Sequence, residues 1–526
     1  MLSRIDPDRM KSWRVALTVL LLGVSAADAT TADKGAAASG QHIAWHAGDV
    51  DSAFARARRE RRPLFLYWGA EWCPPCNQVK ATIFNRRDFI ERSRVFVPVY
   101  IDGDSPSAQM LASRFKVSGY PTMVLFRPDG TEVTRLPGEV DAQQYMRVLT
   151  LAMNATRPVK TLLAAALSDN PALTPADWRL LAYYSWETDH EAAVPKSQLA
   201  ETLALLAQRC PHAVADARAR LVLKAIAAAA SSQDKRAAPA AAYPQVRAVL
   251  ADAKLARENF SVLTDAAGDI AGYVTAAGSD ERRTLIAEWD RLLVRFGDDA
   301  NLSRADRVGA ALARLALARL DAPKDAPLPA RLVADVRAAA ERADRETTDR
   351  YERQAVISAA AVALREAGLL DESDAMLNRE LARSHSPYYF MSGLASNAKK
   401  RGDKAGALRW YEQAYAASKG PATRLQWGAS YVGALIELAP DDAARIEAAA
   451  RSVIGELDPV PATFHERNRA TLERMGGRIV GWAESNRQDV VLAALRKRLG
   501  EHCAKLPVQS PEHATCEGVL RTKAGG

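Results

Sequence analysis

Apolar positions recur along this chain in two rhythms, and the change between them falls near residue 160. Before it, short apolar runs alternate with amphipathic stretches. Asp49 to Arg59 carries Val50, Phe54 and Ala57 at helical spacing and predicts a helix. Leu64-Phe65-Leu66-Tyr67-Trp68 predicts a buried strand, followed by a helix from Cys73 to about Phe84. A short helix over Asp88–Ser93, a strand over Val95–Ile101, a helix over Ser107–Phe115 and a strand over Thr122–Phe126 come next. Pro128-Asp129-Gly130 reads as a turn into a strand from Val133 to Leu136. Asp141 with Gln144 resembles a capping box that opens a last helix, with Tyr145, Val148, Leu149 and Ala152 on one face.

From about Lys160 onward strand signals vanish, and Ala, Leu and Arg dominate in helical periods broken by Pro and Gly. Ala361, Gly368 and Pro387 recur 34 residues later as Ala395, Gly402 and Pro421. Leu394, Ala395, Gly402, Ala407, Tyr411 and Ala414 fit the small/large pattern of a tetratricopeptide helix pair, in which small residues let antiparallel helices approach. A third unit from Leu425 is degenerate: Trp427 and Ala429 fit, but Ala439-Pro440 replaces the glycine. Tetratricopeptide-like repeats are thus expected near 354–455. Between 160 and 350 no clean period emerges, and general helix packing is expected there.

At the N-terminus Arg9, Lys11 and Arg14 precede an apolar core from Val15 to Val24, and Ala27-Asp28-Ala29 offers an A-x-A cleavage site. Residues 1–29 are therefore expected to be a signal peptide and 30–40 a polar linker. The apolar core falls short of a bilayer span, so no stable membrane insertion is expected after cleavage. The expected location is periplasmic or otherwise exported. A formal charge of +8 is spread among mixed arginines and carboxylates, with no basic run interleaved with aromatics. That reads as a solvated surface, and no nucleic-acid partner is expected. A chain of 526 residues with 48% hydrophobic content supports more than one core.

The chemistry concentrates in Trp72-Cys73-Pro74-Pro75-Cys76, set between a strand and a helix. A cysteine at a helix start meets the positive end of the macrodipole, which favours thiolate. Pro74 suits the first helical turn, where its missing N–H costs nothing. Cys76, one turn in, is placed to close or resolve a disulfide. A zinc site would need a second ligand pair, which Cys210, Cys503 and Cys516 do not supply, so no metal is expected. Haem attachment would need His after Cys76, where Asn77 stands. Cys503 and Cys516, with Pro507 and Pro511 between them, are expected to form a structural disulfide adding about 2–3 kcal/mol in an oxidising compartment. Two free thiols are the alternative. Cys210 reads as a buried, inert thiol.

Several separate matches resemble the thioredoxin fold: Glu71-Trp72-Cys73-x-x-Cys76, Gly119-Tyr120-Pro121-Thr122, the Asp-Gly turn, and the helix after Gly138. They cover about Trp45 to Met153 and look most similar to exported thioredoxin-like proteins, including the C-terminal domain of the membrane thiol:disulfide interchange reductase. The fold class expected is an α/β thioredoxin-like domain over 41–155, followed by an all-α, tetratricopeptide-like solenoid region over 160–526. The resemblance implies a cis Tyr120–Pro121 bond facing the cysteines. Two departures stand out. The family's buried acid, six residues before the first cysteine, is Tyr67 here, and its partner lysine position matches Pro98. An unperturbed phenol titrates near ~10, so Tyr67 does not take over the acid's role. Pro98 removes a ladder donor, which marks one side of its strand as an edge or bulge.

These features lead to the expectation of an exported protein-disulfide oxidoreductase. Cys73, expected to be exposed at the helix start, would attack, Cys76 would resolve, Trp72 would shape the rim, and the Tyr120-Pro121 loop would dock the substrate. Protein thiols and disulfides are the expected partners, with a peptide or protein partner for the helical region, and no bound cofactor is needed because electrons pass through the cysteine pair. Pro74 and Pro75 bring the sulfurs no donor, which favours the reducing end of a range from about −270 to −120 mV. A different class is the alternative: a helical-repeat scaffold whose thioredoxin-like domain is a redox sensor or vestigial.

Overall fold

The computed structural model describes residues 42–521, apart from positions 106, 118, 170, 187, 190–192, 233–236, 324–325 and 459. The signal peptide expected over 1–29 and the linker over 30–40 lie outside the described residues.

The first elements are α1 (Val50–Glu60), β1 (Leu64–Gly69), α2 (Pro74–Val79), α3 (Arg87–Ser93), β2 (Val97–Asp102), α4 (Ala108–Phe115), β3 (Thr122–Phe126), β4 (Glu132–Leu136) and α5 (Ala142–Met153). The sheet runs β2-β1-β3-β4, with β1 parallel to β2 and antiparallel to β3. Helices cover both faces, which is why β1 reads as an unbroken apolar run. Leu64, Leu66 and Trp68 pack with Phe54 of α1 and Phe115 of α4. Phe65 and Tyr67 point the other way, into Phe84, Phe89, Tyr145 and Leu149.

Local chemistry sets the boundaries. The Asp49 carboxylate accepts the Ser52 N–H at 2.7 Å and starts α1. Asp141 caps α5 by accepting from the amides of Gln143 and Gln144. The Gln144 side chain does not close the box; its oxygen accepts from Arg147 instead. The helix expected to run unbroken to Phe84 widens into a π-helical turn over Lys80–Phe84, where the Thr82 hydroxyl donates to the Gln78 carbonyl. β2 is the sheet's edge strand, and the Pro98 carbonyl accepts the His46 N–H on its outer side at 2.8 Å.

Helices α6 (Val159–Ala166) through α25 (Pro511–Gly518) make up the rest, and among the described residues every sheet strand precedes residue 137. The α2/α5 side of the first core continues without a break into Val159, Leu162, Trp178, Tyr183 and Leu203. Arg135, 1% exposed, ties the junction by donating to the carbonyls of Phe115, Lys116 and Thr188. The Ser185 N–H donates to the Arg135 carbonyl and covers that edge of β4.

Later helices return to the sheet domain. Helix α17 (Arg350–Glu366) packs on α2, and α23 (Glu466–Asn486) packs on α4. In this stretch the 34-residue spacing has a structural counterpart. Gly368 and Gly402 both take positive φ, at 85° and 80°, where α17 and α19 (Pro387–Lys400) end. Pro387 and Pro421 each open the helix after the one that follows, α19 and α21 (Pro421–Leu438) respectively. The degenerate unit ends α21 at Ala439 without a left-handed residue. Cys503, closing α24 (Asp489–Cys503), is disulfide-bonded to Cys516 of α25. No helix among the described residues is long and apolar enough to cross a membrane.

Candidate redox site

β1 ends at Gly69, and four residues later Cys73 takes an extended conformation and N-caps α2. Its Sγ accepts the Cys76 N–H at 3.3 Å, the backbone donor one turn in that Pro74 and Pro75 cannot supply. Cys73 and Cys76 are joined in a disulfide. Asn77, fully buried, holds the turn by donating its carboxamide to the carbonyls of Glu71 (2.8 Å) and Cys73 (3.1 Å). Pro74 is buried and Pro75 exposed.

The loop before β3 faces this turn. Tyr120–Pro121 is cis, and the Tyr120 carbonyl oxygen lies 3.8 Å from Cys73 Sγ. Thr122 donates to the Gly119 carbonyl at 2.8 Å and fixes the loop's return into β3. Gln109 of α4 is a junction: its amide donates to the Gly103 carbonyl and the Tyr120 hydroxyl, and its oxygen accepts the backbone N–H of Arg467 and Asn468.

Cys73 is not exposed, contrary to the sequence expectation: it is 3% accessible and Trp72 is 7%. The helical region covers both. The Trp72 ring meets Trp427 edge-on at 5.1 Å and stacks on Tyr389 at 6.4 Å, while the Arg467 guanidinium sits 4.8 Å from its centroid. Trp427 is held in turn by its indole N–H, which donates to the Tyr388 carbonyl at 3.1 Å. His385 Nε2 lies 3.0 Å from the Glu71 carbonyl oxygen, and the Thr423 hydroxyl donates to the Asp104 carboxylate. Gln78, two residues past Cys76, donates to Ser303 Oγ and Asp306 Oδ1.

Burial sets the electrostatics. Tyr67 is wholly buried against Tyr100, Phe84 and Trp45, its hydroxyl makes no hydrogen bond among the described residues, and desolvation pushes its phenol well above the ordinary value. It is an apolar filler where the family places an acid. Desolvation raises Asp104 to about 6, against the opposing Thr423 hydrogen bond. The Trp72 N–H also helps hold that charge, although it makes no hydrogen bond of normal geometry. Burial lowers Lys80, whose ammonium lies 5.3 Å from the Tyr100 ring, and lowers His385. It also lowers Arg467, opposed by Tyr120 and Asp104. Cys210, buried at the end of α8 (Leu199–Arg209), is pushed up to about 11 by desolvation.

Two cavities border the pair. One of about 420 Å³ is walled by Cys73, Tyr120, Tyr389, Arg467 and Arg474 among others. A larger one, about 1020 Å³, runs from Pro74, Pro75 and Pro121 into the helical region, past Glu139, Lys224 and Asp265. Glu139 pairs there with Arg220 (2.7 Å) and Lys224 (3.3 Å), and these cations hold it below the usual carboxylate range against its burial. Its side chain is enclosed by protein yet 28% accessible, because it faces the cavity.

The structure thus gathers Trp72, Cys73, Pro74, Pro75, Cys76, Tyr120 and Pro121 in one place, while Cys503–Cys516 pins α25 to α24. The sequence marked Trp427 only as a repeat position and did not single out Tyr389 or Arg467, because all three lie more than 300 residues from the motif. The aromatic run Tyr388-Tyr389-Phe390, unusual among alanine-rich helices, is the one local signal that marks this face.

Residues 50–152 match the family model described as a thioredoxin-like domain. The thiol:disulfide interchange protein DsbD of Pseudomonas fluorescens is 30% identical over 111 residues, which cover 20% of this chain and 19% of that protein. Thioredoxin 1 of Chlorobaculum tepidum is 29% identical over 96 residues, 18% of this chain and 90% of that one. A solved DsbH oxidoreductase is 18% identical, covering 24% of this chain and 94% of that one, with a TM-score of 0.20. The chain spans about a fifth of the length of the interchange protein. Its first part is therefore a thioredoxin-like α/β domain carrying a C-x-x-C pair, followed by a largely helical region.

Proposed function

We propose that this protein is a thiol–disulfide oxidoreductase that exchanges disulfides through Cys73 and Cys76, Cys73 attacking and Cys76 resolving. One observation carries the reading: a Cys73–Cys76 disulfide at the start of α2, its outer sulfur capped by the Cys76 amide and set against the Tyr120–Pro121 loop. The likeness of residues 50–152 to thiol:disulfide interchange proteins supports it. We place the centre toward the reducing end. Among the described residues a single amide reaches Cys73 Sγ, and burial disfavours the thiolate, so the reduced pair gains little stabilisation. Export is supported by the leader pattern and by a second disulfide, Cys503–Cys516, suited to an oxidising compartment. The recurrence of Gly368/Gly402 and Pro387/Pro421 at equivalent helix ends supports a tetratricopeptide-like assignment for that stretch, whose role is to choose what reaches Cys73.

The burial of Cys73 favours a second reading, a helical-repeat scaffold with a redox-sensing or vestigial domain. Mixed-disulfide trapping separates the two. With Cys76→Ala, exchange chemistry leaves partners covalently held on Cys73, seen on non-reducing gels, and the native chain reduces insulin or exchanges with glutathione. Failure of both removes the enzyme reading. Partners that co-purify equally with Cys73→Ser favour the scaffold.

A further inference from the structure

Trp427 and Tyr389 close over the redox turn, so the approach to Cys73 Sγ is the cavity of about 420 Å³ beside it. That size suits a small ligand and not the surface of a folded protein. Its walls come from both parts of the chain: Cys73 and Tyr120 on one side, Tyr389, Glu466, Arg467 and Arg474 on the other.

The charge in this wall is unusual. The Arg467 guanidinium lies between two rings, 4.8 Å from Trp72 and 5.1 Å from Tyr120. Among the described residues neither Arg467 nor Arg474 forms an ion pair with a carboxylate; Arg474 is exposed and donates to Thr471 Oγ1 at 3.2 Å. The acidic residue of this wall, Glu466, accepts a hydrogen bond from Ser113 at 2.9 Å. Asp104 acts on Arg467 only at longer range and is engaged by Thr423. Ring faces offset part of the cost of desolvating a guanidinium, and an anion placed against it offsets more. Its planar donors match a carboxylate in two-point fashion.

We infer that this cavity binds a small disulfide, or the corresponding thiols, bearing a carboxylate, which Arg467 and Arg474 hold while its sulfur meets Cys73. The inference rests on the exchange chemistry proposed above and names its substrate class. Starting from the bonded pair, a thiolate RS⁻ attacks Cys73 Sγ and the Cys73–Cys76 bond breaks. Cys76 leaves as thiolate and takes up a proton. A second RS⁻ attacks the R sulfur of the mixed disulfide, forming R–S–S–R and releasing the Cys73 thiolate. Two electrons pass from the two thiols to the pair, and the same steps in reverse reduce R–S–S–R.

The test uses the full chain, its pair reduced and freed of reductant, at physiological ionic strength so that diffuse surface charge is screened. Second-order rate constants are measured for disulfides of similar size and different charge: dithiodiglycolate (dianion), bis(2-hydroxyethyl) disulfide (neutral) and cystamine (dication). The expected ratio of dianion to dication is about tenfold or more, the scale of hydrogen bonds to a charged group. Arg467→Gln collapses that ratio, and Arg467→Lys, which keeps the charge but not the planar fork, retains only part of it. Arg474→Gln lowers it from an exposed position, so the readout survives if Arg467→Gln fails to fold. A ratio near one in the native chain, or one unchanged in Arg467→Gln, overturns the inference while leaving exchange chemistry in place. If none of the three disulfides reacts, the inference falls, and the proposed function is then decided by the trapping and insulin tests.

Discussion

Trp427→Ala tests whether the helical region governs access to Cys73. Trp427 is 7% accessible, meets Trp72 edge-on at 5.1 Å and Tyr388 at 5.2 Å, and donates its indole N–H to the Tyr388 carbonyl. Truncating a buried tryptophan costs about 3–5 kcal/mol in all. Most of that falls within the helical region and does not bear on opening. The part acting across the cover is the Trp72 pair, worth about 0.5–1.5 kcal/mol beyond its area. If Cys73 reacts through transient opening of the cover, that loss raises its reaction rate roughly two- to twelvefold. The assay is alkylation of the reduced chain by iodoacetamide, with modification at Cys73 followed by mass spectrometry and global stability measured in parallel by urea unfolding. A drop in stability with an unchanged Cys73 rate refutes the cover and leaves Trp427 as ordinary core.

Other perturbations probe separate parts of the structure. Asp104 is raised from 3.8 to about 6 by burial, so its contribution to stability is fully present below 3.8 and is lost as pH rises through about 6. The loss is at most about 3 kcal/mol between those values; urea unfolding across pH 4–7 follows it, and Asp104→Asn flattens the profile. Glu139→Gln leaves Arg220 and Lys224 without their shared carboxylate beside the large cavity, and an unfolding loss of about 3 kcal/mol or more is expected, against none if water in the cavity compensates. Replacing Cys503 and Cys516 by serine removes a cross-link of sequence separation 13, and the urea midpoint falls by the equivalent of about 3 kcal/mol.

The sheet domain was legible because its signals are local. β1 is one apolar run because both its faces are covered, α1 and α5 announce themselves through Asp49 and Asp141, and Trp72 to Cys76 carries its own context. Tyr67 in place of the family's acid was readable as a chemical change, and its burial among aromatic rings gives that change a packing role. The cover was not legible. Tyr389, Trp427 and Arg467 are ordinary residues of amphipathic helices until tertiary packing brings them to Trp72, and no period in the sequence says which helix face meets the sheet domain. The exposure expected of Cys73 failed for that reason: a helix N-terminus is open by default, and only a long-range contact closes it.

The most direct measurement is a redox titration of the full chain against defined thiol–disulfide buffers, with each cysteine pair resolved by differential alkylation and mass spectrometry. The expected result is a two-electron transition confined to Cys73 and Cys76, toward the lower end of about −270 to −120 mV, with Cys503–Cys516 oxidised throughout that range. A Cys73–Cys76 pair that stays locked in one state across the range contradicts an exchange centre.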